Sequence, residues 1–460
     1  MATHTVDNPY TGDVACSIEQ DSDARIHEIL DRARAASRAF RHTTVDERVA
    51  LCEKALAAFE AQAAEVAADI TKQMGKPLSQ AQGEVKGMAG RWRHMMDIAK
   101  ASLADIVLPK EGFDRRIAKV PLGVVLDLPA WNYPLLTAVN AIVPAVLAGN
   151  AVVVKHSPRT PLCAWHFAKA FEAAGAPAGL VQAMFVDYAT TERIVGDSRI
   201  DAVLFTGSVL GGHKIQAAAK DRFMQVGLEL GGNDPAYVAA DADIAKTVEN
   251  VVDGAIYNAG QSCCAVERVY VHASVYEQFL AAAEPLVRGY VLGDPNDDKT
   301  SLGCIAQPWH PKELEAFVAD ATGKGAKLVC GGKATSVNGK GRFFEATMLR
   351  DVPQSADLMK KESFGPILAV SRVASDEEAL AFMNDSSLGL TASLWTKDKE
   401  RAERLARDLE FGTVYMNRCD ALDPALPWTG VKDSGRGCTL SQLGFEGLTR
   451  PKAIHFRLAF

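Results

Sequence analysis

The amino-acid sequence predicts an α/β fold made of two successive α/β units, and three observations carry that expectation. The chain has 460 residues, which at roughly 150 residues per domain makes two or three domains, each able to bury a core without disulfides or metals. Apolar runs alternate with helical periodicities twice, once between residues 131 and 240 and again from residue 267 onward. No uninterrupted apolar stretch approaches the roughly 18 residues that a membrane helix needs.

Residues 24–40, 45–74 and 79–103 carry apolar side chains at three- and four-residue spacing and predict helices. Residues 115–125 predict a strand. The first alternating series follows, with strands in AVVVK, LVQAMFV, AVLFTGS, MQVGLEL and PAYVAA and helices near 163–174 and through Ile215. The second has ERVYVH, a helix near 276–290, KLVCGG, ILAVSRV, GLTASLWT, a helix over 399–409 and GTVYMN. Such alternation is that of parallel sheets covered by helices. The cleft between the two units is expected near residues 231–264, and clefts of this kind are favoured ligand sites.

Composition narrows the function. Lys plus Arg total 50 and Asp plus Glu 57, a net charge of −7 with no basic block, which argues against nucleic acid as a partner. Hydrophobic residues make up 48% and charged residues 23%, the balance of an ordinary soluble globular protein. The opening MATHTVDNPY has neither the basic region nor the apolar core of a secretion signal, so the expected location is cytoplasmic, without membrane association. The nine cysteines form no C-x-x-C pair, which fits a reducing compartment and predicts neither a disulfide frame nor a metal site.

Several residues could carry chemistry. Cys263, in NAGQSCCAVERV, lies where a helical run gives way to a loop and could be a nucleophile, although a lone cysteine is more often inert packing. Glu229, in GLELGGND, is acidic within an apolar run, where burial would raise its pKa towards that of a general base; a salt-bridged strand end is the bland alternative. Asn132, in PAWNYPLL, could donate its amide to an oxyanion or merely cap the following helix. FTGSVLGG follows a strand and opens a helix, a setting for a pyrophosphate, but it is not the G-x-G-x-x-G fingerprint.

In chain order, PAWNYP, VVVKHSP, FTGS followed by GG, LELGG, GQSC, ESFGP, GLTAS and PWTGVKDSGRG closely resemble the aldehyde dehydrogenase superfamily over nearly the whole chain. The resemblance implies a modified Rossmann cofactor domain at 1–105 and 125–231, an α/β catalytic domain at 232–432, and a small β oligomerisation arm at 106–124 with the tail 433–460. It implies Cys263 as nucleophile, Glu229 as general base and Asn132 as oxyanion donor. Lys155 would bond the adenosine ribose, Ser208 would approach the pyrophosphate, and Glu362 and Phe364 would hold the nicotinamide riboside. Trp131, Gly207, Gly212 and Leu230 belong to the same cofactor set. The implied reaction oxidises an aldehyde to the acid with NAD(P) through a thiohemiacetal and a thioester, in a homodimer or homotetramer. A CoA-acylating relative and a catalytically silent scaffold are the alternatives.

Departures from the pattern refine these expectations. Where relatives usually carry a ribose-chelating glutamate three residues after the lysine, this chain has Pro158. A carboxylate there repels a 2′-phosphate, so its loss favours NADP over NAD, with Ser157 as a further phosphate partner and Arg159 another if its side chain turns inward; the alternative is that Arg159 faces solvent and both cofactors bind comparably. Thr439 replaces a frequent glutamate that lines the catalytic water and proton route. Asn140 stands where semialdehyde enzymes often carry a tunnel arginine, so the aldehyde, whether a semialdehyde or a small aliphatic or aromatic one, stays open. The loop Arg418 to Pro424 is expected at the tunnel mouth, with a solvated surface loop equally consistent.

Overall fold

The computed structural model describes residues 2–458. The expected segment ends at residues 1 and 460 lie outside the described residues. A hairpin of Thr3–Asp7 and Val14–Glu19, which the sequence reading missed, precedes four helices, α1 (Asp23–Phe40), α2 (Val45–Glu60), α3 (Ala63–Met74) and α4 (Leu78–Ser102). Ser22 caps α1 through the Arg25 N–H, and Thr44 with Glu47 forms a capping box on α2. The single helix expected over 45–74 is therefore two. The chain turns at Gln62 (φ −104°, ψ 9°) so that Leu56 and Phe59 before it and Val66 and Ile70 after it enter one core. No glycine or proline marks that break.

The strand expected over 115–125 also divides. Phe113–Pro121 lies between Ile106–Val107 and Thr449–Arg457 in an antiparallel three-stranded sheet, whereas Val124–Leu128 is a fully buried strand of a different, six-stranded sheet. Gly123 makes the transition at φ +139°, where a Cβ would stand 1.9 Å from an Asp201 carboxylate oxygen.

The six-stranded sheet runs in the order Gly435–Arg436, Gln225–Glu229, Ala202–Thr206, Val124–Leu128, Ala151–Val154, Val181–Ala183. All pairings are parallel except the first, in which Gly435 and Arg436 lie antiparallel to Glu229 and Leu228. Parallel strands bring their carboxyl ends to one edge, so the segments leading to Asn132, Lys155 and Ser208 emerge on the same side as Glu229. This edge is where doubly wound sheets bind ligands. A helix, α5 (Pro134–Leu147), follows Asn132 and packs against α4.

A second sheet has seven strands in the order Lys327–Cys330, Thr347–Arg350, Ile367–Val373, Val266–His272, Asp234–Val238, Thr391–Trp395, Thr413–Met416, parallel except for the first pair. Each sheet centres its own core of buried aliphatic and aromatic side chains. This is the α/β architecture that the alternation predicted. No described helix is long and apolar enough to cross a membrane.

Candidate active site

The segment leading to Cys263 is held under backbone strain. After Ile244–Ile256, Asn258 and Ala259 both take left-handed conformations (φ 55° and 57°), each costing on the order of 1–2 kcal/mol. Side-chain bonds hold them there: Asn258 Nδ2 donates to the carbonyls of Asn132 (3.1 Å) and Gln261 (3.0 Å), and Gln261 Oε1 accepts from the Ala306 N–H at 2.9 Å. The turn ends on Cys263, which is partly exposed. Gly232 allows this approach, because a Cβ there would lie 2.0 Å from the Cys263 carbonyl oxygen. A Cβ on Gly231 would lie 2.5 Å from a Glu362 oxygen. The two glycines of LELGG thus bring the Glu229 strand end, Cys263 and Glu362 together.

Cys264 does something different. It is buried, its thiol donates to the Asp420 carboxylate at 3.0 Å, and Ser262 Oγ donates to the same oxygen at 3.2 Å. Burial raises the Asp420 carboxyl to about 7. The loop Arg418 to Pro424 is therefore not merely a solvated surface segment. It turns Asp420 inward beneath the nucleophile turn while Arg418 and Asp423 face solvent.

Asn132 is 4% exposed, and its side-chain amide bonds to no described residue. The N-cap position of α5 belongs to Tyr133, without a side-chain cap, so capping does not explain Asn132. Its carbonyl is fixed by Asn258 and by Lys76 Nζ at 2.8 Å. Lys76 is paired with Glu84, both almost fully enclosed, and Glu84 accepts the Leu135 N–H at 2.8 Å at the start of α5. Sequence reasoning missed this pair. An ion pair between the α3–α4 turn and the α4 helix has no local signature in the sequence.

Glu229 ends its strand with its carboxylate hydrogen-bonded by Thr439 Oγ1 and the Thr206 hydroxyl. Removal from water raises its pKa to about 7, against the lowering effect of these donors and of Arg91. A cavity of about 60 Å³, large enough for water, is lined by Glu229, Thr206, Thr439, Asn140 and Asp127. Thr439, which stands where a second carboxylate is frequent, thus donates directly to Glu229.

The proposed cofactor residues lie along the same edge. Lys155 is 6% exposed, with its ammonium 4.9 Å from the Tyr188 ring centroid and no carboxylate within ion-pair distance among the described residues; burial lowers its pKa to about 8. Ser157 lies two residues on and accepts the Arg159 N–H at 3.3 Å. The Gly207 N–H donates to the Glu229 carbonyl (3.0 Å), and Ser208 caps the helix Val209–Ala218 through the Gly211 N–H (3.1 Å). Leu230 packs over Gly212. Trp131 meets Phe364 edge to face, with centroids 5.6 Å apart. Glu362 accepts the Gly232 N–H at 3.0 Å, and the Phe364 N–H donates to buried Glu267 at 2.7 Å. Glu267 also accepts the Ser363 N–H, so a strand glutamate unnoticed in the sequence sets the ESFGP turn.

Arg159 is a correction. It does not turn towards the other cofactor residues: its guanidinium grips the Asp7 carboxylate at 2.5 Å and the Asp7 carbonyl, and Arg342 binds the same carboxylate. A carboxylate on the N-terminal hairpin outcompetes any distant ligand for a side chain only 7% exposed. Arg159→Ala is expected to lower unfolding stability by about 1–3 kcal/mol while leaving the ratio of kcat/KM for NADP and NAD within twofold, as denaturant titration and steady-state kinetics would establish.

The whole chain can be compared with known proteins. Residues 2–454 match the Aldehyde dehydrogenase family. The chain belongs to this family. It is 37% identical over 458 residues to an aldehyde dehydrogenase of Paenarthrobacter nicotinovorans, covering 99% of both chains. It is 35% identical over 451 residues to a succinate-semialdehyde dehydrogenase (NADP(+)) of Mycobacterium avium, covering 97% of this chain and 95% of that one. Among solved structures, lactaldehyde dehydrogenase from Escherichia coli superposes with a TM-score of 0.95 at 30% identity, over 99% of this chain and 96% of that one. As an aldehyde dehydrogenase, the protein is an NAD(P)-dependent oxidoreductase that converts an aldehyde to its acid.

Proposed function

We propose that this aldehyde dehydrogenase works through Cys263, Asn132 and Glu229, releases a free acid, and prefers NADP. The Cys263 thiolate adds to the aldehyde carbon, and the resulting oxyanion accepts hydrogen bonds from the Asn132 amide and the Cys263 N–H. A bound nicotinamide dinucleotide supplies the hydride acceptor. Water then attacks the thioester carbonyl as Glu229 takes its proton; the C–S bond breaks and Cys263 leaves as thiolate. The observation that carries this reading is Glu229, poised near pKa 7 beside a water-sized cavity. That arrangement favours water over CoA as acyl acceptor. The test follows NADPH absorbance over a panel of aldehydes with and without CoA: acid formed without CoA supports it, and strict CoA dependence overturns it.

The residues present fit a dinucleotide carrying a 2′-phosphate. Lys155 is a buried cation without an ion-pair partner among the described residues, Ser157 Oγ retains its proton to donate, and no carboxylate stands at Pro158. The Mycobacterium avium relative, an NADP(+) enzyme, agrees. Pro158→Glu is expected to lower kcat/KM for NADP by about 10- to 100-fold relative to NAD, the scale of one or two charge-assisted contacts. A strong NAD preference in the unaltered protein would sink the assignment.

The domain limits 1–105 with 125–231, 232–432, and 106–124 with 433–460 belong to the same proposal. So does a homodimer or homotetramer formed through the three-stranded sheet, whose Ile106, Val107 and Phe456 are half or more exposed. A cytoplasmic location is consistent with nine unpaired cysteines.

A further inference from the structure

We propose that Arg91 is a specificity-determining residue that binds an anionic group on the aldehyde, remote from its carbonyl. The inference deepens the functional reading above and rests on it. Arg91 projects from α4 against α5, where its Nη1 donates to the Leu136 carbonyl and to Asn140 Oδ1, both at 3.1 Å. Asn140 itself lines the Glu229 cavity. These two bonds aim the guanidinium but use only one of its three nitrogens. Among the described residues Nε and Nη2 have no hydrogen-bond partner, and no carboxylate lies within 4 Å of the side chain, which is partly exposed.

Two of the buried arginines, Arg48 and Arg268, are treated differently; a third, Arg159, leaves its Nε unpartnered but is neutralised by the Asp7 carboxylate. Arg48 bonds through all three nitrogens to Thr43, Leu147 and Arg41, and Arg268 through all three to Asn233, Phe382 and Met383. Those are structural arginines, saturated by protein acceptors. Arg91 is held at one corner and left open at the others. The titratable groups whose charges act on it include Cys264, Glu229, Glu84, Cys263 and Asp420. None is committed to it: Glu84 is paired with Lys76, Cys264 with Asp420, and Glu229 with Thr439. A partly shielded cation without a counter-ion favours an incoming anion. The planar fork selects a carboxylate or a similar oxyanion, which can bridge two of its N–H groups.

The experiment compares succinic semialdehyde with 4-methylpentanal, its uncharged shape analogue, at a pH well above the Glu229 value of about 7. The unaltered protein is expected to favour the charged aldehyde in kcat/KM. In Arg91→Gln the ratio of charged to uncharged kcat/KM falls roughly 10- to 100-fold, mainly through KM, and Arg91→Lys recovers part of it. Should Arg91→Gln fail to fold, inhibition of 4-methylpentanal oxidation by free succinate in the unaltered protein gives the same information: competitive inhibition supports the subsite. An unchanged ratio, or no preference and no inhibition in the unaltered protein, overturns it. Absence of turnover with every aldehyde would instead refute the functional reading itself.

Discussion

Cys263→Ala is expected to eliminate aldehyde-dependent NADPH formation, a loss of at least about 10⁴-fold, because removing a nucleophile removes the covalent route and not just one stabilising contact. The adjacent thiol offers no rescue. Cys264 is buried and donates to Asp420, and burial together with its neighbours raises its pKa well above that of a free thiol. Cys264→Ala deletes one hydrogen bond to a carboxylate that Ser262 still serves, at a cost of about 1 kcal/mol in stability, and most turnover remains. Absorbance assays of both purified variants decide the matter, and reversed outcomes would move the nucleophile to Cys264.

The second large effect belongs to Glu229→Gln. The amide oxygen can still accept the Thr439 proton, so the local shape persists while the base is lost. Rapid mixing is expected to show one burst of NADPH, near one equivalent per site, followed by turnover slowed about 10²- to 10⁴-fold, the usual scale of general base catalysis. The pH profile carries the sign. Burial raises the Glu229 pKa to about 7, so the carboxylate that can take a proton from water is lost as pH falls through 7 and gained as it rises. Steady-state turnover in the unaltered protein should climb across that range, and the variant should lack the step. Equal slowing of burst and turnover would assign Glu229 to an earlier stage, the activation of the thiol.

The two α/β series and the motif order were legible in the sequence because they are local: strand periodicity, helix periodicity, and glycines beside chemically active residues. What escaped was set by contacts across long separations. The helix break at Gln62 serves a shared core and has no local marker. Lys76, in the turn before α4, and Glu84, on α4, read as ordinary charges until the fold encloses them together behind Asn132. Arg159 was expected to face a phosphate because its neighbours suggested it, but its partner, Asp7, lies 152 positions away. Thr439 looked like a loss relative to the family pattern. In the structure its hydroxyl reaches across 210 positions to Glu229.

The edge strand Gly435–Arg436 has a consequence for biogenesis. It completes the six-stranded sheet beside Glu229 and leads directly into Thr439. Every other strand of that sheet is synthesised by residue 229, so the sheet can assemble early on the ribosome with one edge open, while the pairing that finishes the base must wait for some two hundred further residues and the second sheet between them. Completion of the surroundings of Glu229 thus waits for residues 435–439 to be made. A chain ending before residue 435 would leave Glu229 without both its flanking strand and its hydroxyl partner.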